Sequence, residues 1–327
     1  MKADFLRLVR STKDYMSLST VMTACNMSEE EVEKAFIQLT NAGYDIEYEE
    51  DKGFHLNSYP ENITATELMS RTTTVWAGKN IRYKKVTEST NLDAKELSDS
   101  SQAHGLLVVT DNQTGGRGRR GRSWEDDGDN SIAMSILLKP EYEPDKASMV
   151  TLVMALAVAE VINQLTEGEV KIKWPNDIVV NKKKVCGILT EMALTEDGKI
   201  DNVVIGVGIN VNQKFFPEDI ASTATSLFIE TGDRQIRSDI ILGVMDYFEC
   251  YYDMFVECGD LSPIVAMYEG YLINKDEKVK VLDPKGEYTG IASGINDFGE
   301  LIVQKEDGKY ARVSSGEVSV RGVYGYV

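Results

Sequence analysis

The stretch 115–139, GGRGRRGRSWEDDGDNSIAMSILLK, decides how the chain is to be read. Its first part contains GRGRRG, a letter-for-letter match to the G-x-G-x-x-G dinucleotide pattern, and an arginine-glycine run of this kind also suggests a nucleic-acid segment. The dinucleotide pattern needs a strand before the glycines and a helix after them, so that the helix N-terminus meets the pyrophosphate. A strand does precede it, GLLVVTD (105–111), and Glu141 falls near the spacing of the ribose-binding acid. After Arg122, however, the chain is polar and glycine-containing and then turns into the strand SIAMSILLK (131–139), so no helix is there to face a phosphate. RNA-binding segments come as repeats in a basic, disordered context, and this is a single copy between two strands. The remaining reading is a glycine-rich loop that wraps a small anion. Glycine supplies backbone freedom and arginine supplies planar, permanently charged donors. Such a crowd of like charges predicts a loop that is mobile when empty and ordered when a ligand neutralises it.

The loop stands out because the chain as a whole is acidic: 35 Lys+Arg against 53 Asp+Glu give a formal charge of -18, yet four of the twelve arginines lie between Arg117 and Arg122. That balance argues against sequence-independent binding to polyphosphate. At 327 residues with 42% hydrophobic content the chain is long enough for two or three globular domains. The sequence shows no apolar run of membrane-spanning length and no secretory leader, so it predicts a soluble protein without membrane association. Cys25, Cys186, Cys250 and Cys258 are scattered, which predicts free thiols in a reducing cytoplasm.

Outward from the loop, three regions differ in character. In the first sixty residues, helical spacing at 18–25 and 30–39 is linked by CNMSEE, with Asn26 where a left-handed residue is needed and Ser28 where an N-cap belongs. The alternating YDIEYEEDKGFHL around Asp51-Lys52-Gly53 predicts a hairpin after this helix-turn-helix, and SYPENITAT reads as a linker. The middle region mixes strands (131–139, 170–174, 177–180, 185–194 and 202–211, besides 105–111) with helices (91–98, 146–166, 222–230, 238–257 and 262–272), an α+β domain on a mixed sheet. The end carries short strands between Gly, Asp and Pro turns, KVKVLD, EYTGIASGI, GELIVQ, GKYARVS and GEVSVRG, which suggest a small β-barrel.

A second signal is KWPNDIVVNKKKVCGILTE (173–191). Pro175 ends a strand, Asn176-Asp177 sets an amide and a carboxylate at a turn where they can hold a metal ion or a hydroxyl, and NKKK closes a hairpin that lets a lysine point back along the sheet. Asn-Asp at a turn is more often structural than catalytic. Lys184, and Gly187 as a point of close backbone approach, shift the balance toward a site. Ser89-Thr90-Asn91 at a helix start reads, taken alone, as a cap.

With GRGRRGRSW, KWPND, KKVCGILTE, the STN helix entry and GVGIN all in this order, the chain resembles the biotin protein ligases, in the long form that is also the biotin operon repressor. Lipoate ligases and octanoyl transferases resemble the same catalytic domain but lack the GRGRRGR loop. The resemblance implies an α+β fold with an N-terminal winged helix-turn-helix (1–63), a mixed-sheet ligase domain of the biotin/lipoate type (64–271) and a C-terminal SH3-like β-barrel (272–327). It implies that biotin and ATP, with Mg²⁺, form biotinyl-5'-adenylate and that a lysine of a biotin carboxyl carrier domain then accepts the biotin. Ser89, Thr90, Asn91, Gln113, Arg117, Gly118, Arg119, Lys184 and Gly187 are implied as biotin contacts. Gly116, Arg119, Arg122, Trp124, Asn176 and Asn210 are implied at the adenylate, with Lys184, Arg119 and Asp177 as the catalytic set and Asp177 on Mg²⁺. Thr20, Ser28 and Lys34 would touch operator DNA, and a homodimer would form when adenylate binds.

One departure falls on the DNA surface. The second helix of the helix-turn-helix, the one that enters the major groove, begins SEEEVEKAF, and residues 1–70 hold six Lys+Arg against thirteen Asp+Glu. The usual attraction to phosphate is missing there. A repressor, and a winged helix kept for packing or for another partner, both stay open at this point.

Overall fold

The computed structural model describes residues 1–283, 286–314 and 319–322, the last four through their backbone. Two compact units are present, Met1–Thr73 with Ile236–Ser238 and Thr74–Gln235 with Asp239–Val327.

The N-terminal unit contains α1 (Lys2–Arg10), α2 (Leu18–Cys25), α3 (Glu29–Asn41), the antiparallel hairpin β1 (Asp45–Glu49) and β2 (Gly53–Ser58), and α4 (Ala65–Arg71). The link between α2 and α3 is built as its sequence predicts. Asn26 adopts φ 50 and ψ 51 and ends α2, while Ser28 Oγ accepts from Glu31 N and Glu31 Oε2 accepts from Ser28 N in a capping box. Gly53 opens β2 at φ +103, where a Cβ would sit 2.1 Å from the Met16 carbonyl oxygen, so no larger residue fits. Phe5, Leu6, Val9, Val21, Val32, Leu39 and Phe54 form the core. Helices α1 and α4 were not anticipated. Helix α4 starts inside the predicted linker because Thr64 caps it, accepting from Glu67 N.

The second unit is built on a seven-stranded sheet in the order β3-β4-β5-β9-β8-β7-β6. Its strands are β3 (Ile81–Thr87), β4 (Leu106–Gln113), β5 (Ser131–Leu138), β6 (Val170–Lys173), β7 (Asp177–Val180), β8 (Lys183–Leu194) and β9 (Ile200–Asn210). Only β3 and β4 run parallel; the other neighbours are antiparallel, so the sheet is mixed. The helices are α5 (Thr90–Glu96), α6 (Met149–Leu165), α7 (Leu227–Thr231), α8 (Arg237–Cys258) and α9 (Val265–Tyr271). Against the sequence expectation of no membrane-length run, Pro144–Leu165 is long and apolar enough to cross a bilayer, but 72% of that window is buried inside the protein, as in a core helix. The predicted helix 222–230 shrinks to α7, because Ser226 Oγ caps Ile229 N and donates to Gln213 O, which fixes the start five residues later.

Strands β10 (Lys278–Leu282), β11 (Tyr288–Ile295), β12 (Leu301–Lys305), β13 (Tyr310–Val313) and β14 (Ser319–Gly322) make a separate antiparallel sheet in the order β13-β12-β11-β10-β14. Gly316, Glu317 and Val318 of GEVSVRG lie outside the described residues. The two sheets of this unit meet through Trp174, which is 2% exposed. Its indole donates to Gly299 O at 3.0 Å and its backbone N–H to Asn274 Oδ1 at 2.9 Å.

Candidate active site

The site lies where β4, β8, β9 and the start of α5 come together. Gly206 and Gly208 alternate on β9 and so point to one face. They pair across the sheet with Leu189 and Gly187 of β8. The bare backbone is needed: a Cβ on Gly208 would fall 2.4 Å from Trp124 Cε2, one on Gly206 2.2 Å from Asn91 Oδ1, and one on Gly187 3.0 Å from Lys184 Nζ. Three glycines thus leave room for the indole, the amide and the ammonium that cross the floor. Trp124 Nε1 is buried without a hydrogen-bond partner among the described residues.

The arginine-glycine segment forms a tight hairpin over this floor. Gly118 N donates to Arg122 O at 2.7 Å and Trp124 N to Gly116 O at 2.9 Å, and Arg120 turns the chain at φ 58. Arg119 is half-buried while Arg117, Arg120 and Arg122 are exposed. Arg119 donates from Nη1 to Asn176 Oδ1 at 2.9 Å. Burial, with Arg120 and Arg122 adding to it, holds its guanidinium below the usual arginine range, and Asp177 opposes that shift. Arg117 stands 3.6 Å from Glu88.

On the KWPND turn, Asn176 Nδ2 donates to Ile188 O at 3.0 Å and to Asp177 Oδ1 at 3.3 Å. The hairpin after it reverses through Asn181 and Lys182 at positive φ, and Lys184 Nζ reaches back to Asp177 Oδ1 at 2.6 Å, as the sequence suggested a lysine of NKKK would. Lys184 Nζ also stands 5.6 Å from the Trp124 ring centroid.

All nine residues expected at biotin line one pocket: Ser89, Thr90, Asn91, Gln113, Arg117, Gly118, Arg119, Lys184 and Gly187, joined by Trp124 and Asn176. Beside it opens a larger cleft of about 770 Å³, which Arg122, Trp124, Lys184 and Asn210 share with the acids Glu125, Asp126 and Asp127 and with Phe215 and Phe216. Asn210 is 6% exposed and donates to Thr225 O at 3.0 Å. Gly116 lines neither space; a Cβ there would meet Trp124 O at 2.4 Å and Gln113 Nε2 at 2.9 Å. Asp177, expected in the catalytic set, lines neither space; it meets the site through its ion pair with Lys184. Sequence reasoning missed Met134, Ile188, Leu189, Gly206, Val207 and Gly208 on the floor; the glycines of GVGIN were the available signal.

Beneath the pocket runs a polar network. Thr90 N donates to Gln113 Oε1 at 2.9 Å, Ser135 Oγ lies 2.7 Å from Thr90 Oγ1 and 2.6 Å from Asn91 Oδ1, and Asn91 Nδ2 donates to Glu191 Oε2 at 2.7 Å. Lys95 Nζ pairs with Glu191 Oε1 at 2.7 Å. Burial alone would raise the Glu191 carboxyl, but the bonds from Lys95 and Asn91 outweigh it and the group stays below its usual range.

In the N-terminal unit, Thr20, Ser28 and Lys34 are exposed, as are Glu29, Glu30, Glu31 and Glu33. Ser28 is engaged as the cap of α3 and Thr20 Oγ1 lies 2.8 Å from Ser17 Oγ.

Residues 83–210 match the biotin/lipoate A/B protein ligase family, and residues 276–321 match the biotin protein ligase C terminal domain. The chain is 33% identical to a bifunctional ligase/repressor BirA of Bacillus spizizenii over 94% of its own length and 95% of that protein. It is 30% identical to the biotin--[acetyl-CoA-carboxylase] ligase of Mycobacterium tuberculosis, over 71% of this chain and 85% of that one. A solved biotin protein ligase from Aquifex aeolicus, in complex with biotin and ATP, superposes with a TM-score of 0.65 at 32% identity, covering 75% of this chain and 99% of that chain. The chain belongs to the biotin protein ligases of the biotin/lipoate A/B family. Its nearly full-length match to the bifunctional ligase/repressors includes the N-terminal unit.

Proposed function

We propose that the protein activates biotin with ATP to biotinyl-5'-adenylate and transfers the biotin to a lysine of a biotin carboxyl carrier domain. The observation that carries this is the convergence, around one glycine-floored pocket, of nine residues from four separate segments beside a second cleft that shares Trp124 and Lys184 with it.

In the first half-reaction a biotin carboxylate oxygen attacks the α-phosphorus of ATP. A C–O–P bond forms, the bond to the bridging oxygen breaks and pyrophosphate leaves. Negative groups are pressed together, so the protein's work is neutralisation and alignment. Arg119 and Lys184 are the cations placed for it, with Arg122 at the phosphates, and Trp124, Asn176 and Asn210 hold the nucleotide. Among the described residues no three His, Cys, Asp or Glu side chains converge. The Asp177 carboxylate would hold Mg²⁺, which commonly takes one or two carboxylates plus substrate phosphates. When bound, Mg²⁺ would neutralise phosphate charge. Lys184, whose Nζ stands 2.6 Å from Asp177 Oδ1, is the ammonium that would bridge the biotin carboxylate and the phosphate. In the second half-reaction the carrier lysine loses a proton, which Asp177 would accept, and attacks the acyl carbon; an amide forms and AMP leaves.

Residues 1–63 act as a winged helix-turn-helix, with α4 grouped with it so that the catalytic domain begins after Thr73 and runs to 271, and 272–327 act as an SH3-like barrel. The four cysteines are unpaired, in keeping with a reducing cytoplasm. A biotinyl-adenylate-dependent repressor, dimeric on operator DNA, is the second reading, favoured by the full-length similarity to ligase/repressors. An operator gel shift with biotinyl-adenylate at low and moderate salt tests it, and no shift at either salt removes it. The ligase is tested by incubating the protein with ATP, biotin and an apo carrier domain. One biotin on one lysine is the expected mass change; no modification refutes the reading.

A further inference from the structure

The protons of the buried network can be counted. Asn91 Nδ2 lies 2.7 Å from Glu191 Oε2 and 3.5 Å from Leu189 O. A carboxylate and a carbonyl only accept, so this end of the amide is the NH2 and the other end, Oδ1, accepts. Ser135 Oγ sits 2.6 Å from Oδ1 and, being fully buried on β5, commits its single proton there. At its 2.7 Å contact with Thr90 Oγ1, Ser135 can then only accept, so the Thr90 proton goes to Ser135. The Thr90 hydroxyl also approaches Gln113 Oε1 at 3.2 Å, the longer and weaker of its two contacts, and Gln113 Oε1 is held chiefly by the Thr90 backbone N–H at 2.9 Å. What remains for the pocket is a lone pair on Thr90 Oγ1 and the Nε2 hydrogens of Gln113. Lys95, 2.7 Å from Glu191 Oε1, keeps the carboxylate that starts the chain in place.

We infer that Glu191, Asn91 and Ser135 are positioning residues that set the pocket's polarity, fixing Thr90 as an acceptor and Gln113 as a donor so that the site selects a ring carrying an N–H beside a carbonyl. A cyclic urea has that pattern, and a ring without N–H groups does not. Asn91 thereby acts through Thr90 and does not itself hold the ligand. The inference rests on the biotin reading above and adds how the ureido ring is told apart from near-isosteric rings.

The experiment compares biotin with its two cyclic carbamate analogues, in each of which one ureido N–H is replaced by a ring oxygen. The KM of each is measured in pyrophosphate–ATP exchange for the wild type, Ser135→Ala, Glu191→Leu, Thr90→Val and Thr90→Ser. The wild type is expected to prefer biotin over at least one carbamate by roughly 10- to 100-fold, the size of leaving a buried acceptor facing an acceptor. In Ser135→Ala the Thr90 hydroxyl is free to turn its proton to the ring oxygen, so this preference falls at least about fivefold while the KM for ATP moves less than about twofold. Glu191→Leu, which frees the Asn91 amide to turn over, lowers the same ratio. Thr90→Val removes the preference and Thr90→Ser keeps it. A general loss of structure would raise the KM of biotin and carbamate together and leave the ratio standing. A ratio unchanged in Ser135→Ala and Glu191→Leu overturns the inference alone, whereas a wild type without biotin-dependent exchange overturns the biotin reading beneath it.

Discussion

Gly206→Ala tests the wedge on which the network depends. The new methyl would lie 2.2 Å from Asn91 Oδ1 and 3.0 Å from its Cγ, in a pocket where Asn91 is 7% exposed. To bring that contact to 3.4 Å, the outer limit of a tight approach, the amide must retreat by about 1 Å. Its bonds to Ser135 Oγ at 2.6 Å and Glu191 Oε2 at 2.7 Å cannot survive such a shift in their present geometry. A buried polar group left unsatisfied costs about 1–3 kcal/mol. The methyl itself adds little, since the strand backbone there is extended. We expect a loss near 2–3 kcal/mol, which for a unit of this size lowers Tm by roughly 4–12 °C. Asn91→Ala should cost a similar amount by itself. With the amide gone, the Gly206 methyl fills vacated space, so the double variant should lie within about 0.5 kcal/mol of Asn91→Ala, a coupling well outside the scatter of independent sites. Calorimetry on the four proteins completes the cycle. Strict additivity, or a Gly206→Ala protein melting within 1 °C of wild type (about a quarter of a kcal/mol), refutes the wedge.

Three further outcomes follow from the site. Arg119→Lys loses the planar fork that reaches Asn176 at 2.9 Å, so adenylate formation should slow about 100-fold, and a change under threefold in single-turnover assays contradicts its role. Asp177→Asn should slow transfer from preformed biotinyl-adenylate at least about tenfold; full transfer shows that another group takes the lysine proton. The Glu191 carboxyl titrates lower in the fold than its ordinary 4.5. Its contribution is therefore present above that unfolded value and lost as pH falls through the folded one. The Tm gap between wild type and Glu191→Gln should hold steady from pH 7 to about 5 and shrink as the pH falls below 4.5 and through the folded value; a gap that widens on acidification reverses the sign and refutes the pairing.

What the sequence showed and what it hid follow from where the determinants lie. Asn26, Ser28 and Gly53 act on their own backbone, so their conformations were legible locally. The loop 115–124 was legible because a helix was missing after it, and the lysine of NKKK because a two-residue turn sends its neighbour back toward Asp177. The floor was not. Met134, Ile188, Leu189 and Val207 read as ordinary strand core, and nothing local tells which of their faces a ligand meets. Ser135 looked like one polar residue in an apolar strand; its part depends on Asn91, which is 44 positions away and touches it only after β4, β5 and α5 have packed. Strand β3, IRYKKVT, was missed because its polar residues obscure the alternation that exposes it on one side at the sheet edge.

We propose that this pocket joins biotin to AMP. Exchange of labelled pyrophosphate into ATP, measured with biotin, with lipoate and with neither, tests it most directly. Rapid exchange with biotin, and background exchange with lipoate or no acid, is the result expected. Exchange driven by lipoate and indifferent to biotin would contradict it.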